Sequence, residues 1–239
     1  MGDSSTSERR CYDLPVPPPG KFITIEGLDG CGKSTQLTML ATLLHAHGME
    51  VVVTREPGGT VMGEKIRKLL LDTATLNLSP FAELALMFAS RAQHLKEVIE
   101  PALGQGKTVL CDRFADSTEA YQGGGRKLGS DPVRALHRVL CGNLQPDLTI
   151  LMDSDVAASV ERARQRNFTR ARGNDGGGPD ENRFEQESRG FFTRVRDAYC
   201  AIAEREPHRV VVVNARGPAS ETHRQIALIM KQKLKLSER

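Results

Sequence analysis

No apolar run in this sequence approaches the ~20 residues needed to cross a bilayer, and residues 1–20 lack the apolar stretch of a secretory signal. Charge of one sign is also missing. A net +3 over 239 residues gives no ground for a nucleic-acid partner. The five cysteines (11, 31, 111, 141, 200) have no metal-type pairing, and the six histidines show no metal spacing. Scattered thiols of odd number suit a reducing compartment, so a cytoplasmic protein without a membrane partner is expected. There is no internal repeat and no sign of a second hydrophobic core. One domain is therefore expected over 21–239. Residues 1–20, polar and then proline-rich, read as a flexible tail.

What is present is concentrated near the start. An apolar, β-branched run, Phe22–Ile25, ends in Gly27-x4-Gly32-Lys33-Ser34, the phosphate-binding loop pattern. Glycines let the backbone curl so that successive N–H groups face phosphate oxygens. Lys33 adds a mobile positive charge, and the Ser34 hydroxyl can ligate Mg²⁺. An apolar-periodic helix follows (Leu37, Leu40, Ala41, Leu43, Leu44), and its N-terminus favours anions. Gly27, Leu28, Asp29, Gly30, Cys31, Gly32, Lys33, Ser34 and Thr35 are thus the expected triphosphate cradle. Cys31 is most simply a small loop residue.

Five continuous apolar runs recur between helical patterns: Phe22–Ile25, Val51–Val53, Thr108–Cys111, Leu148–Met152 and Val210–Val213. Continuous rather than alternating runs indicate strands covered on both faces. Strands separated by helices predict a parallel sheet, here a three-layer α/β fold of the phosphate-loop NTPase class. Helices are expected near 34–47, 60–72, 80–104, 131–141, 155–167, 185–205 and 219–235, with Gly173–Asp180 a loop. Ligands bind outside the carboxyl ends of such strands. Thr54-Arg55-Glu56-Pro57-Gly58-Gly59, Asp112-Arg113 and Asp153 fall there.

A GTPase would need an Asn-Lys-x-Asp base reader, and an ABC-type ATPase a Leu-Ser-Gly-Gly-Gln signature; both are absent. Small phosphotransferases remain. Gly27-Leu-Asp29-Gly-Cys-Gly-Lys33-Ser-Thr, Thr54-Arg55-Glu56-Pro-Gly-Gly, Leu86-Met-Phe-Ala-Ser-Arg91-Ala-Gln, Asp112-Arg113 with Ser117-Thr-x-Ala-Tyr121-Gln122-Gly-Gly-Gly-Arg126, and Arg183-Phe-Glu-Gln-Glu occur in this order. Together they closely resemble thymidylate kinases of bacterial type, from about residue 21 to the C-terminus.

The resemblance implies an ATP- and Mg²⁺-dependent phosphorylation of dTMP to dTDP by a homodimer. It places Arg55, Arg67, Arg91 and Arg113 on the monophosphate, a task suited to the planar guanidinium fork. Asp29 matches a carboxylate on the deoxyribose 3′-hydroxyl, and Glu56 a second acidic contact. Gln122 would read the polar edge of thymine, Tyr121 would crowd out a 2′-hydroxyl, and Ser117 would touch the base. Mg²⁺ falls to Ser34 and, through water, Asp112. The family supplies mobile positive charge from the phosphate loop or from a lid at about 162–184. Gly30 occupies the loop arginine's position, so Arg162, Arg166 and Arg183 become the candidates. The family's base-stacking aromatic position is Met87 here; its neighbour Phe88 is the expected substitute.

Plainer readings stand beside these. Arg162, Arg164 and Arg166 fit a solvated helix face, Arg67 a surface charge, Tyr121 ordinary packing, and Gly123–Gly125 a turn. A kinase for another nucleoside monophosphate or a deoxynucleoside, or a non-catalytic ATP-binding module, are the competing functions.

Overall fold

The computed structural model describes residues 20–75, 77–173 and 183–235. All but the last residue of the tail expected over 1–20, and most of the predicted glycine-rich loop, lie outside the described residues. Five parallel strands form one sheet: β1 (Phe22–Gly27), β2 (Val51–Arg55), β3 (Thr108–Asp112), β4 (Leu148–Asp153) and β5 (Val210–Asn214). Their order is β2-β3-β1-β4-β5, with Ile25 beside both Asp112 and Ile150. Each strand falls on an expected run, extended by one or two residues.

Helices cover both faces of the sheet. The pleat of β1 sends Ile23 and Ile25 to one side, where they pack with Leu40 and Leu44 of α1 (Lys33–Ala46) and Ile226 and Met230 of α9 (Ala219–Leu234). Phe22 meets the opposite layer, with Leu84 and Phe88 of α3 (Pro80–His94) and Val133 of α6 (Ser130–Cys141). α2 (Val61–Leu71) packs on α3. The predicted helix over 80–104 passes through a π-helical stretch, Leu95–Ile99, before finishing as α4 (Glu100–Gly104). Ser79 caps α3 by accepting from the Ala82 N–H at 3.3 Å, with Pro80 next, as its sequence predicts.

Two elements depart from expectation. Ala115–Thr118 is a short helix, α5, continued by a π-helical stretch, Glu119–Gly125, so Gly123–Gly125 is not a simple turn. A Cβ on Gly124 would stand 2.6 Å from that of Ala198. These glycines admit α8 (Arg189–Arg205), which begins four residues later than predicted, after a 3₁₀ turn at Phe184–Gln186. α7 (Val156–Gly173) outruns its expected end at 167.

Candidate active site

β1 ends at Gly27 and α1 starts at Lys33, so the intervening loop lies at the carboxyl edge of the central strand. Gly32, at φ 102°, caps α1 without a side-chain hydrogen bond, leaving first-turn N–H groups for an anion. Lys33 lies back across this loop, donating to the carbonyls of Gly27 at 3.1 Å and Leu28 at 2.8 Å. Gly30, at φ 78°, has α7 pressed against it: a Cβ there would lie 2.1 Å from the Ser159 carbonyl oxygen. An arginine at this position is therefore sterically excluded. Instead Arg162, on the first turns of α7, donates from Nε to the Gly30 carbonyl at 2.8 Å.

Beside the loop, Ser34 Oγ lies 3.4 Å from Asp112 Oδ2. The other oxygen, Asp112 Oδ1, is buried without a partner. A hydroxyl with an under-satisfied carboxylate suits Mg²⁺, which takes few protein ligands and completes its shell with water and phosphate. Among the described residues there is no cluster of three or more His, Cys, Asp or Glu side chains able to cage a metal.

A cavity opens next to this loop, between α2, α3 and the π-helical stretch Glu119–Gly125. Asp29, Glu56, Arg67, Arg91, Arg113, Ser117, Tyr121, Gln122 and Arg166 all line it. Arg113 is the hub. Held at φ 72° just past β3, it donates to Asp29 Oδ1 at 2.9 Å, Tyr121 OH at 3.1 Å, Ser117 Oγ at 3.0 Å and Tyr199 OH at 3.1 Å. Burial alone would raise the Asp29 carboxyl, but the Arg113 and Lys33 charges prevail and hold it well below the usual carboxylate range. Tyr121 OH donates to Asp29 Oδ2 at 3.1 Å, and burial pushes its phenol well above its ordinary value.

Arg91 forms the floor. It is sandwiched between Phe88 and Phe114, its guanidinium 5.0 Å from each ring centroid. Nε donates to Glu56 Oε2 at 2.7 Å, and Nη2 to the Phe114 carbonyl at 3.0 Å and Thr118 Oγ1 at 2.7 Å. Nη1 is buried without a partner. Burial works against the Glu56 charge, yet Arg91 and the His94 hydrogen bond lower its pKa. Arg67 donates to the Pro57 carbonyl at 3.1 Å.

A family model for thymidylate kinase matches residues 25–226. The chain belongs to the thymidylate kinase family. A thymidylate kinase of Desulfosudis oleivorans is 52% identical over 200 residues, covering 84% of this chain and 91% of that one. One of Pelobacter propionicus is 48% identical over 202 residues, with 84% and 90% covered. A crystal structure of thymidylate kinase from Ehrlichia chaffeensis superposes at TM-score 0.70 with 32% identity, over 89% of this chain and all (100%) of that one.

Within the thymidylate kinase fold three expectations are corrected. Phe88 does not line the cavity: it is fully buried in the α3–α6 core, and Met87 lines the cavity instead. Helix phase decides this, because adjacent residues point about 100° apart. Arg183 is 3% exposed, with Nη2 2.8 Å from Glu83 Oε2 and Nε 2.5 Å from the Leu70 carbonyl oxygen. Locked among these partners, it is a structural residue rather than a mobile lid cation. Arg55 stands outside the cavity lining, donating to Glu64 at 3.1 Å.

Sequence reasoning missed Glu26, Glu83 and Tyr199. Glu26 could have been noticed as an acid within the apolar β1 run. Glu83 resembled an ordinary acid complementing a helix N-terminus, and the Tyr199 hydroxyl left no signal on the apolar face of α8.

Proposed function

We propose that this chain is a dTMP kinase, transferring the γ-phosphoryl group of ATP to the 5′-phosphate of dTMP and releasing dTDP and ADP. The observation that carries this reading is Arg113. It joins Asp29 of the phosphate loop to the walls of a neighbouring cavity, so donor and acceptor sites share an edge. Loop N–H groups and Lys33 hold the β- and γ-phosphates of the donor. Ser34 and Asp112 would hold Mg²⁺, which would supply neutralising positive charge to the donor phosphates.

Arg67, Arg91 and Arg113 orient the acceptor, whose phosphate oxygen is already ionised and requires no strong base. Alignment and charge neutralisation carry the reaction. Asp29 accepts from the 3′-hydroxyl, Tyr121 closes the 2′ side, and Ser117 and Gln122 face the base. Arg162, seated on the Gly30 carbonyl, and Arg166, at the cavity edge, supply charge over the transferring group. Glu56 holds Arg91 in place. Residues 21–239 form one kinase domain with a lid over 162–184, working in the cytoplasm without nucleic-acid or membrane partners. No helix among the described residues is long and apolar enough to cross a membrane. Exposed Val61, Met62 and Phe81 near the starts of α2 and α3 support a homodimer through these helices.

A coupled assay of ADP release with dTMP, dUMP, dCMP, dGMP, dAMP and thymidine tests the reading. dTMP should give the highest kcat/KM, and Lys33→Ala should abolish turnover. No turnover of dTMP at saturating Mg·ATP would sink it.

A further inference from the structure

Glu83 stands in the first turn of α3, wholly buried. Its Oε1 accepts from Gln122 Nε2 at 2.7 Å. The same carboxylate takes Arg126, whose Nε lies 3.1 Å from Oε1, and Arg183, whose Nη2 lies 2.8 Å from Oε2. Flanked by two guanidiniums, it has only acceptor atoms to offer. The Gln122 amide must therefore turn its NH₂ to Glu83, because its oxygen would otherwise face a carboxylate oxygen. Gln122 Oε1 is left over. It is buried without a partner, in a residue that lines the acceptor cavity. A buried acceptor with no donor is costly unless a ligand completes it.

We propose that Glu83 is a positioning residue that locks the Gln122 amide with its oxygen as acceptor, so the cavity selects a base with a ring N–H. This rests on the dTMP reading above. Thymine carries a hydrogen on N3, whereas cytosine has a bare nitrogen there. Against cytosine, the fixed amide oxygen meets a second lone pair, so rejection is built from repulsion as well as from a missing bond. A neutral glutamine at position 83 would accept either face of the Gln122 amide, and the orientation would no longer be enforced.

The test compares dTMP with 5-methyl-dCMP, which keeps the 5-methyl group and differs on the N3–C4 edge. Wild type, Glu83→Gln and Arg126→Lys are assayed for kcat/KM, with inhibition constants where turnover is slow. In Glu83→Gln the preference for dTMP should fall about tenfold or more, with KM for dTMP rising more than kcat falls. Arg126→Lys disturbs the same carboxylate without touching Gln122 and should lower both substrates together, leaving the preference intact. An unchanged preference in Glu83→Gln, or an equal fall in Arg126→Lys, overturns the proposal. If Glu83→Gln does not fold, Glu83→Asp replaces it. Aspartate keeps the charge for both arginines but withdraws from Gln122, and again the preference must fall. Absence of dTMP turnover by wild type would remove the dTMP reading itself, whereas normal turnover with an unmoved preference removes only the role of Glu83.

Discussion

Glu26 brings a carboxylate into the centre of the sheet edge, where it accepts from the Phe114 N–H at 2.7 Å, Ser117 Oγ at 2.5 Å and Tyr199 OH at 3.0 Å. Through the two hydroxyls it reaches Arg113. Burial, reinforced by the Asp116 charge, pushes its carboxyl up to about 7; hydrogen bonds from Ser117 and Phe114 and the Arg113 charge limit the rise. Asp116 is itself paired with Arg209 at 2.7 Å. Between about 4.5 and about 7 the folded protein holds a proton that the unfolded chain has released. Stability contributed by this group therefore falls as pH rises through that window. Glu26→Gln stays neutral at every pH, so its melting temperature relative to wild type should climb from pH 5 to pH 8. A constant offset across that range would show that Glu26 does not titrate there.

At the scale of elements, Arg162 and Arg183 do different work. α7 lays Arg162 on the phosphate loop, exposed and held by the Gly30 carbonyl and Ser159. Arg183 is clamped against Glu83, with its guanidinium 4.5 Å from the Phe184 ring centroid. Both were candidates through the family resemblance, since sequence distance says nothing about which arginine is buried. Arg162→Ala should lower kcat more than it alters KM for dTMP, with little change in melting temperature. Arg183→Ala leaves a buried carboxylate short of one counter-charge and should cost on the order of 3 kcal/mol of stability. Thermal melts beside steady-state kinetics separate the two; a cold-stable Arg183→Ala with normal melting would contradict the structural role.

At the scale of the whole molecule, the order β2-β3-β1-β4-β5 sets β1 between β3 and β4. The phosphate loop after β1 thereby adjoins Asp112-Arg113 after β3. Two ligands stabilising one folded state should act separately. dTMP at a hundredfold its Kd should add about 2.7 kcal/mol to unfolding. Lys33→Ala should keep that response while losing most of the shift produced by Mg·ATP. Loss of both shifts would mean that Lys33 organises the acceptor cavity as well.

The strands, the phosphate loop and the strand-end motifs were legible because they rest on local rules: continuous apolar runs, glycine spacing and helix caps act over a few residues. Gly30 announced that the phosphate loop carries no arginine at that position, but not the α7 backbone packed against it. Other features depended on long-range contact. Met87 rather than Phe88 faces the cavity because α3 packs against α6 in one phase. The π-helical stretch forms where Gly124 admits α8. Glu83, 39 residues before Gln122, orients that amide only once both are buried together. The sequence by itself determined the loop chemistry and the layered architecture, which local propensity and hydrophobic pattern specify. Tertiary structure decided which polar side chains lost their water and which partner each then had to find.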